Sequence, residues 1–265
     1  MICYSLFSGS SGNCIYLKKE NTEILVDVGG SMKRIETALC GIGTSLSSVS
    51  AIFLTHEHSD HVQGLPVIAK RHGISVYCPE EVAKSLYLSH LHRGKTAEAA
   101  SLAKCIRTVL PGEEYEVGDF VVTPFATPHD SVASYGYVID DRILGIATDL
   151  GEITPEVRAY LTGCKNVILE SNHDLKMLFD GPYPMDLKER VASDHGHLCN
   201  KDCASFCTEL WGEGCRNFTL FHLSEDNNTP EIALGETLSA LETVGAERGT
   251  FALQIAKRYE VTKIL

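Results

Sequence analysis

Four residues that can ligate a metal fall within six positions of the stretch Ala51-Ile-Phe-Leu-Thr-His-Glu-His-Ser-Asp-His61: His56, His58, Asp60 and His61. Imidazole with carboxylate is a ligand set for zinc, manganese or iron. Ala51 to Thr55 is apolar and β-branched, so it reads as a buried strand that delivers these side chains at its carboxyl end. Side chains at i and i+2 of an extended chain share one side, which lets His56 and His58 grip one ion together. Asp60 and His61 follow a turn and open a stretch of helical spacing that runs from Val62 to His72, so they face the same space. A polar loop that happens to be rich in histidine is the competing reading. Four donors packed so closely weigh against it.

Strand ends elsewhere repeat the pattern. His129 sits just past a strand over 118–127, in which Pro124 marks an edge or a bulge. Asp149 follows a strand over 142–147; beside Gly151 it reads either as a turn residue or as a carboxylate bridging two ions. His222 ends the strand that starts at Asn217. The set amounts to seven ligands: His56, His58 and His129 for one ion, Asp60, His61 and His222 for a second, and Asp149 between them. Two divalent ions about 3.5–4 Å apart can share a hydroxide nucleophile and stabilise the oxygens of a displacement. Hydrolysis is the chemistry expected, not redox. Zinc, manganese and iron all suit these donors, because affinity order alone does not select a metal.

The elements that must position these donors alternate between strand and helix along 265 residues, of which 44% are hydrophobic and 22% charged. That is enough for a full core, and one α/β domain over 1–265 is expected. Strands are expected over 2–7, 13–18 and 23–27, and helices over 31–40, 79–88, 184–192 and 198–213, with a last long helix from Thr229. Leu86 to His92 reads as a helix end with solvated histidines rather than a site, and His90 to Lys95 as a locally basic loop. Cys199, Cys203 and Cys207 recur at helical spacing, which suits small apolar residues packed on a sheet better than a metal site. Ten cysteines with no export signal imply a reducing, cytoplasmic setting, and no apolar run reaches the length of a membrane span. A net charge of −12 weakens nucleic-acid binding as a reading without excluding it, since bound cations dominate a site locally.

The His-x-His-x-Asp-His stretch after a strand resembles the signature of the metallo-β-lactamase fold, a four-layer αββα sandwich. An aspartate at the bridging position and the lack of an export signal separate the chain from antibiotic-degrading members. His58, where redox members carry a carboxylate, separates it from the flavodiiron branch. The interval from Asp149 to His222 leaves no room for the inserted domain of β-CASP nucleases. What remains looks like the YycJ/WalJ-type branch. The likeness is carried by Phe7-Ser-Gly-Ser-Ser-Gly-Asn-Cys-Ile-Tyr16, Thr127-Pro-His-Asp130, Ala147-Thr-Asp-Leu-Gly151, Leu169-Glu-Ser-Asn-His-Asp174, Gly196-His-Leu198 and Leu220-Phe-His-Leu-Ser-Glu-Asp-Asn-Asn228. Cys199 departs from the branch, which usually has serine there, and casts doubt on any hydroxyl role at that position.

The resemblance implies a phosphodiesterase working 5′ to 3′ on DNA, favoured over RNA, with no membrane partner. It implies that Asp27 orients the histidine loop, although the residue alone reads as a turn aspartate before two glycines. It makes His197 catalytic, protonating the leaving oxygen or holding the phosphate, with Asp60 catalytic as well as ligating. Ser10, Ser11, Asn13, His173 and Asn227 are the candidate substrate contacts; the Gly9–Asn13 stretch reads equally as a plain hairpin turn. A small-molecule hydrolase on the same metals, such as a cyclic phosphodiesterase or lactonase, is the alternative. A closed apolar pocket would favour it, and a basic rim of Arg93, Lys95 or Lys188 would favour a polymer. A non-catalytic module stabilised by its ions is the third reading, disfavoured by the complete ligand set.

Overall fold

The apolar runs at the start of the chain become β1 (Ile2–Phe7), β2 (Cys14–Lys19), β3 (Thr22–Val26), β4 (Val49–Phe53), β5 (Ser75–Cys78) and β6 (Ile106–Thr108). Later come β7 (Tyr115–Val117), β8 (Phe120–Ala126), β9 (Tyr135–Ile139), β10 (Leu144–Ala147), β11 (Asn166–Glu170), β12 (Asn217–Phe221), β13 (Ala252–Ile255) and β14 (Thr262–Lys263). They form two mixed seven-stranded sheets, ordered β14-β1-β2-β3-β4-β5-β6 and β13-β12-β11-β10-β9-β8-β7. The computed structural model describes all 265 residues, which divide into two units: 1–121, 131–135 and 257–265, and 122–130 with 136–256.

In the first unit, short turns join β1, β2 and β3, so these strands pair antiparallel. From β3 to β6 the pairing is parallel, and each link is a helical crossover, as parallel neighbours require. The crossovers are α1 (Met32–Gly41), then α2 (Ser59–Val62) with α3 (Leu65–His72), then α4 (Glu80–His92) with α5 (Thr96–Cys105). α1 starts at Ser31, whose hydroxyl accepts the Arg34 N–H. Leu6, Leu25, Ile35, Leu39, Ile52, Leu65, Ile68 and Leu86 are among the residues of its core.

Three local expectations change. β4 stops at Phe53, because the N–H and hydroxyl of Thr55 bond to the Asp27 carboxylate rather than to a strand partner. The helical stretch over 62–72 is broken at Gly64, whose N–H donates to the Val28 carbonyl, and Pro66 sits in the first turn of α3. α4 continues through His92, and His90 is buried with Nδ1 2.8 Å from the Leu86 carbonyl, so it is not a solvated histidine.

In the second unit, β9 and β10 form a hairpin whose turn residues Asp140, Asp141 and Arg142 all have positive φ, which is why β10 starts at Leu144 and not at Arg142. β10 to β13 run parallel. Their connections carry α6 (Pro155–Leu161), α7 (Leu175–Asp180), α8 (Met185–Val191), α9 (Asn200–Gly212) and α10 (Pro230–Thr243). Thr154 and Thr229 cap α6 and α10, each followed by proline. Cys203, Phe206, Cys207 and Leu210 bury one face of α9. Cys199 is the residue before that helix, and burial pushes its thiol up to about 12. Cys203 and Cys207 are apolar packing groups, whereas the Cys199 thiol donates to Asp202 Oδ2 at 3.2 Å. No helix is long and apolar enough to cross a membrane. The two mixed sheets and their helices match the four-layer αββα architecture expected.

Candidate metal centre

β3 and β4 end in register, Val26 opposite Phe53, so the residues that follow them are neighbours. Asp27 adopts φ 61°, a region that costs a non-glycine residue about 1–2 kcal/mol, although aspartate tolerates it best. That conformation aims the carboxylate at the metal loop. Oδ1 accepts the Thr55 N–H at 2.9 Å; Oδ2 accepts the Thr55 hydroxyl at 2.9 Å and His61 Nδ1–H at 2.7 Å. Burial pushes the Asp27 carboxyl up, opposed by His61 and these hydrogen bonds. Having given its proton to Asp27, the Thr55 oxygen accepts from His56 Nδ1, 3.0 Å away. His56 packs against His58 and His61 with ring centroids 4.5 and 4.1 Å apart. His58 is the residue preceding α2, and Asp60 and His61 lie within that helix, so the loop presents its donors as the spacing suggested.

The loop is held from behind by glycine and asparagine. A Cβ on Gly29 would lie 1.6 Å from the Asp60 carbonyl oxygen, so only glycine fits. Asn13 donates its backbone N–H to that same oxygen at 2.7 Å. Its side-chain nitrogen stands 3.3 Å from Asp60 Oδ2 and 3.0 Å from His61 Nε2, while its Oδ1 accepts the Gly9 N–H. Ser10 and Ser11 are exposed at the tip of this turn.

The second unit places its donors where parallel strands end, the edge at which open α/β sheets bind ligands. Asp149 follows β10, Glu170 ends β11 and His222 follows β12. Asp149 and His222 both adopt positive φ, 56° and 57°. Such residues cluster where function over-determines the backbone. Glu170 is fully buried. Its Oε1 accepts from His197 Nδ1 at 2.8 Å and His222 Nδ1 at 2.9 Å, and its Oε2 accepts the N–H groups of Leu150 at 2.9 Å and Leu198 at 3.2 Å. Burial alone would raise this carboxyl; the two imidazoles bring it down to about 2, so it is ionised. The same contacts, with Asp149, raise His197 against the lowering effect of burial. Asp149 Oδ1 is 3.4 Å from His222 Nδ1 and 3.7 Å from His197 Nδ1. Asp149, Glu170, His197 and His222 each bring a ligand atom within 4.8 Å of the others. His129 donates Nδ1–H to the Gly196 carbonyl at 3.0 Å, and burial lowers its pKa despite the nearby Asp149.

The loop after β12 is tied by amides. Asn172 donates to the His222 carbonyl at 2.9 Å. Asn228 donates to the carbonyls of Ser171 and Asn172 and to the Asn200 side chain. Asn227 accepts the Asp174 N–H on its carbonyl and takes its own N–H to Ser224, so it closes this loop. His173 is 1% exposed, has no hydrogen-bond partner on either ring nitrogen, and is pushed down to about 4 by burial. Lys188 does not serve on a basic rim: it is buried, and its ammonium donates to the Phe179 carbonyl at 2.7 Å. Arg93 and Lys95 are exposed at the end of α4.

One rule covers the histidines. His56, His61, His129, His197 and His222 all turn Nδ1 to a protein acceptor. Nε2 is the ring nitrogen turned away from those acceptors, and on His61 it meets the Asn13 amide at 3.0 Å. Imidazoles that turn Nδ1 to the protein, beside Asp149 and the ionised Glu170 carboxylate, are a donor set that fits a divalent metal such as zinc or manganese. Donor sets of this kind on both units are consistent with a dinuclear metal centre. Glu170 and Thr55 are the residues whose roles sequence reasoning missed. The signal for Glu170 was the one that marks Asp149: a lone carboxylate closing an otherwise apolar strand, Val-Ile-Leu-Glu.

The model of the β-lactamase superfamily domain matches residues 22–223. The exodeoxyribonuclease YycJ of Bacillus anthracis is 34% identical over 242 residues, covering 91% of this chain and 89% of that protein. The exodeoxyribonuclease WalJ of Streptococcus pneumoniae is 35% identical over 230 residues, covering 86% and 83%. Among solved structures, Zn(2+)-bound PqqB from Methylobacterium extorquens superposes with a TM-score of 0.71 over 99% of both chains at 14% identity, a likeness of fold alone.

Proposed function

Because the chain belongs to the β-lactamase superfamily and is related to the YycJ/WalJ exodeoxyribonucleases, we propose that it is a metal-dependent 5′-to-3′ DNA exonuclease. The observation that carries this reading is the clustering of imidazole and carboxylate donors, with the site histidines turning Nδ1 to protein acceptors. His56, His58 and His129 would hold one ion, Asp60, His61 and His222 the other, and Asp149 would serve both. Zinc or manganese is the metal favoured, with iron as the third candidate. When bound, such a pair supplies Lewis-acid chemistry: it acidifies a water and neutralises charge on phosphoryl oxygens.

The chain's own residues do the rest. Asp27 fixes the tautomer of His61 directly, and that of His56 through Thr55. Glu170 does the same for His222 and His197. His197, held through Nδ1 by Glu170, passes a proton to the leaving oxygen in this reading, help typically worth about 10²–10⁴-fold. Asp60, which would hold the second ion, is the other residue given a catalytic role. Of the candidate substrate contacts, Ser10 and Ser11 are exposed and placed to meet the substrate, whereas Asn13, His173 and Asn227 are buried and act from behind the site. DNA is the substrate in preference to RNA, the protein works in the cytoplasm, and residues 1–265 act as a single catalytic domain. The family match running through parts of both units supports that unity.

Digestion of a 5′-phosphorylated, 3′-labelled DNA duplex with manganese tests the proposal, with wild type beside Asp60→Ala. Stepwise shortening from the 5′ end by wild type alone is expected. The net charge of −12 and the buried Lys188 favour a small phosphodiester as the second reading. Hydrolysis of bis(p-nitrophenyl) phosphate without any cutting of DNA would establish that reading instead.

A further inference from the structure

A cationic, aromatic patch in the first unit lies beyond the residues assigned above. The Arg34 guanidinium on α1 stacks 3.9 Å from the Phe7 ring centroid and faces Tyr259 at 5.8 Å. It donates to the carbonyls of Ser11 at 2.9 Å and Arg258 at 3.1 Å. Arg258 in turn lies flat on Gly9, where a Cβ would fall 2.7 Å from its Nη1, and that nitrogen is 3.4 Å from the Ser10 hydroxyl. Gly9 has φ +118°, a conformation that favours glycine.

α1 and the C-terminal segment therefore clamp the same turn whose Asn13 holds Asp60 and His61. Ser10 and Asn13 are three peptide units apart, at most about 11 Å. Tyr259 is 66% exposed. With Phe7, Ser31, Lys33, Arg34 and Thr37 it lines an open depression of about 530 Å³. The exposed ring shares this depression with Lys33 and Arg34, a local cationic surface in a chain of net charge −12.

We infer that this patch seats one nucleotide of the DNA strand away from the reacting phosphodiester, its base stacked on Tyr259 and its phosphate against Arg258 and Lys33. The inference rests on the exonuclease reading. An exonuclease must accept every base in turn, and an aromatic face does so because every base has a π-face. Guanidinium and ammonium groups read the phosphate without reading sequence. A depression open to solvent suits a strand that has to slide through it.

The test is fluorescence anisotropy of the metal-loaded protein with a 5′-phosphorylated, phosphorothioate-linked single strand that resists cutting. Tyr259→Ala should weaken binding roughly 5- to 150-fold, the range for loss of one base–aromatic stack, and Tyr259→Phe should retain it. Arg258→Gln should weaken binding and lower the salt slope by about 1. Moving a single abasic nucleotide along the strand should find one position that reproduces the Tyr259→Ala loss and adds nothing to it. If wild type binds while Tyr259→Ala and Arg258→Gln both bind within twofold of it, this inference is overturned and the exonuclease reading stands. If wild type binds no strand at any salt, both fall.

Discussion

Replacing Glu170 by glutamine should cost more stability than its conservative shape suggests. Four N–H groups converge on this buried carboxylate: the Nδ1 atoms of His197 and His222 on one oxygen, the backbone nitrogens of Leu150 and Leu198 on the other. A carboxamide keeps one acceptor oxygen and puts a donor where the second stood. Either flip of the amide leaves two of the four donors facing an NH₂ group. A buried donor without its acceptor costs about 1–3 kcal/mol, so Glu170→Gln should lose about 2–6 kcal/mol. That is a large part of the 5–15 kcal/mol typical of a folded protein. The assay is urea unfolding at neutral pH with chelator present, which removes any contribution from bound metal. The midpoint should fall with little change in slope, the signature of altered stability alone. Glu170→Asp retains both oxygens and should lose less. A loss below about 1 kcal/mol for Glu170→Gln would refute the four-donor account.

Asp27→Asn should weaken binding of the ion assigned to His61 by about 10–100-fold, as loss of a partner that fixes a ligand histidine usually does; competition with a chelator measures it, and affinity within twofold of wild type would sink the idea. Gly29→Ala puts a Cβ 1.6 Å from the Asp60 oxygen, so a loss above about 4 kcal/mol or failure to fold is expected; a melting temperature like that of wild type would contradict the close approach. Burial pushes the Glu23 carboxyl up, but hydrogen bonds from Thr44 and Lys18 at 2.5 and 3.0 Å leave it below the ordinary glutamate value. A depressed folded pKa stabilises above the unfolded value, about 4.3. The advantage of wild type over Glu23→Gln should therefore be full at neutral pH and vanish as pH falls through the lower folded value; a difference constant from pH 7 to pH 3 would overturn this. His197→Ala should keep its metal content and lose about 10²–10⁴-fold in turnover; unchanged turnover would remove His197 from the chemistry.

What could be read without coordinates was whatever is local. The metal loop, His129, Asp149 and His222 each follow an apolar run that must be a strand, and a polar residue closing such a run is placed by the strand itself. Proline after a capping threonine marked the start of α10 for the same reason. The role of Asp27 came only with the family resemblance, since an aspartate before two glycines is equally a turn. His90 looked solvated from its basic neighbours and is buried, because the face of a helix is decided by what packs on it. The tertiary structure alone decided which nitrogen each histidine offers. Those assignments rest on partners far off in the chain: His61 on Asp27 34 residues away, His129 on Gly196 67 away, His222 on Glu170 52 away. The sequence by itself determined which donors exist and that strand ends carry them, because residue type and hydrophobic period are local properties. Only folding could pin one ring nitrogen of each imidazole, because a hydrogen bond needs both of its partners in place.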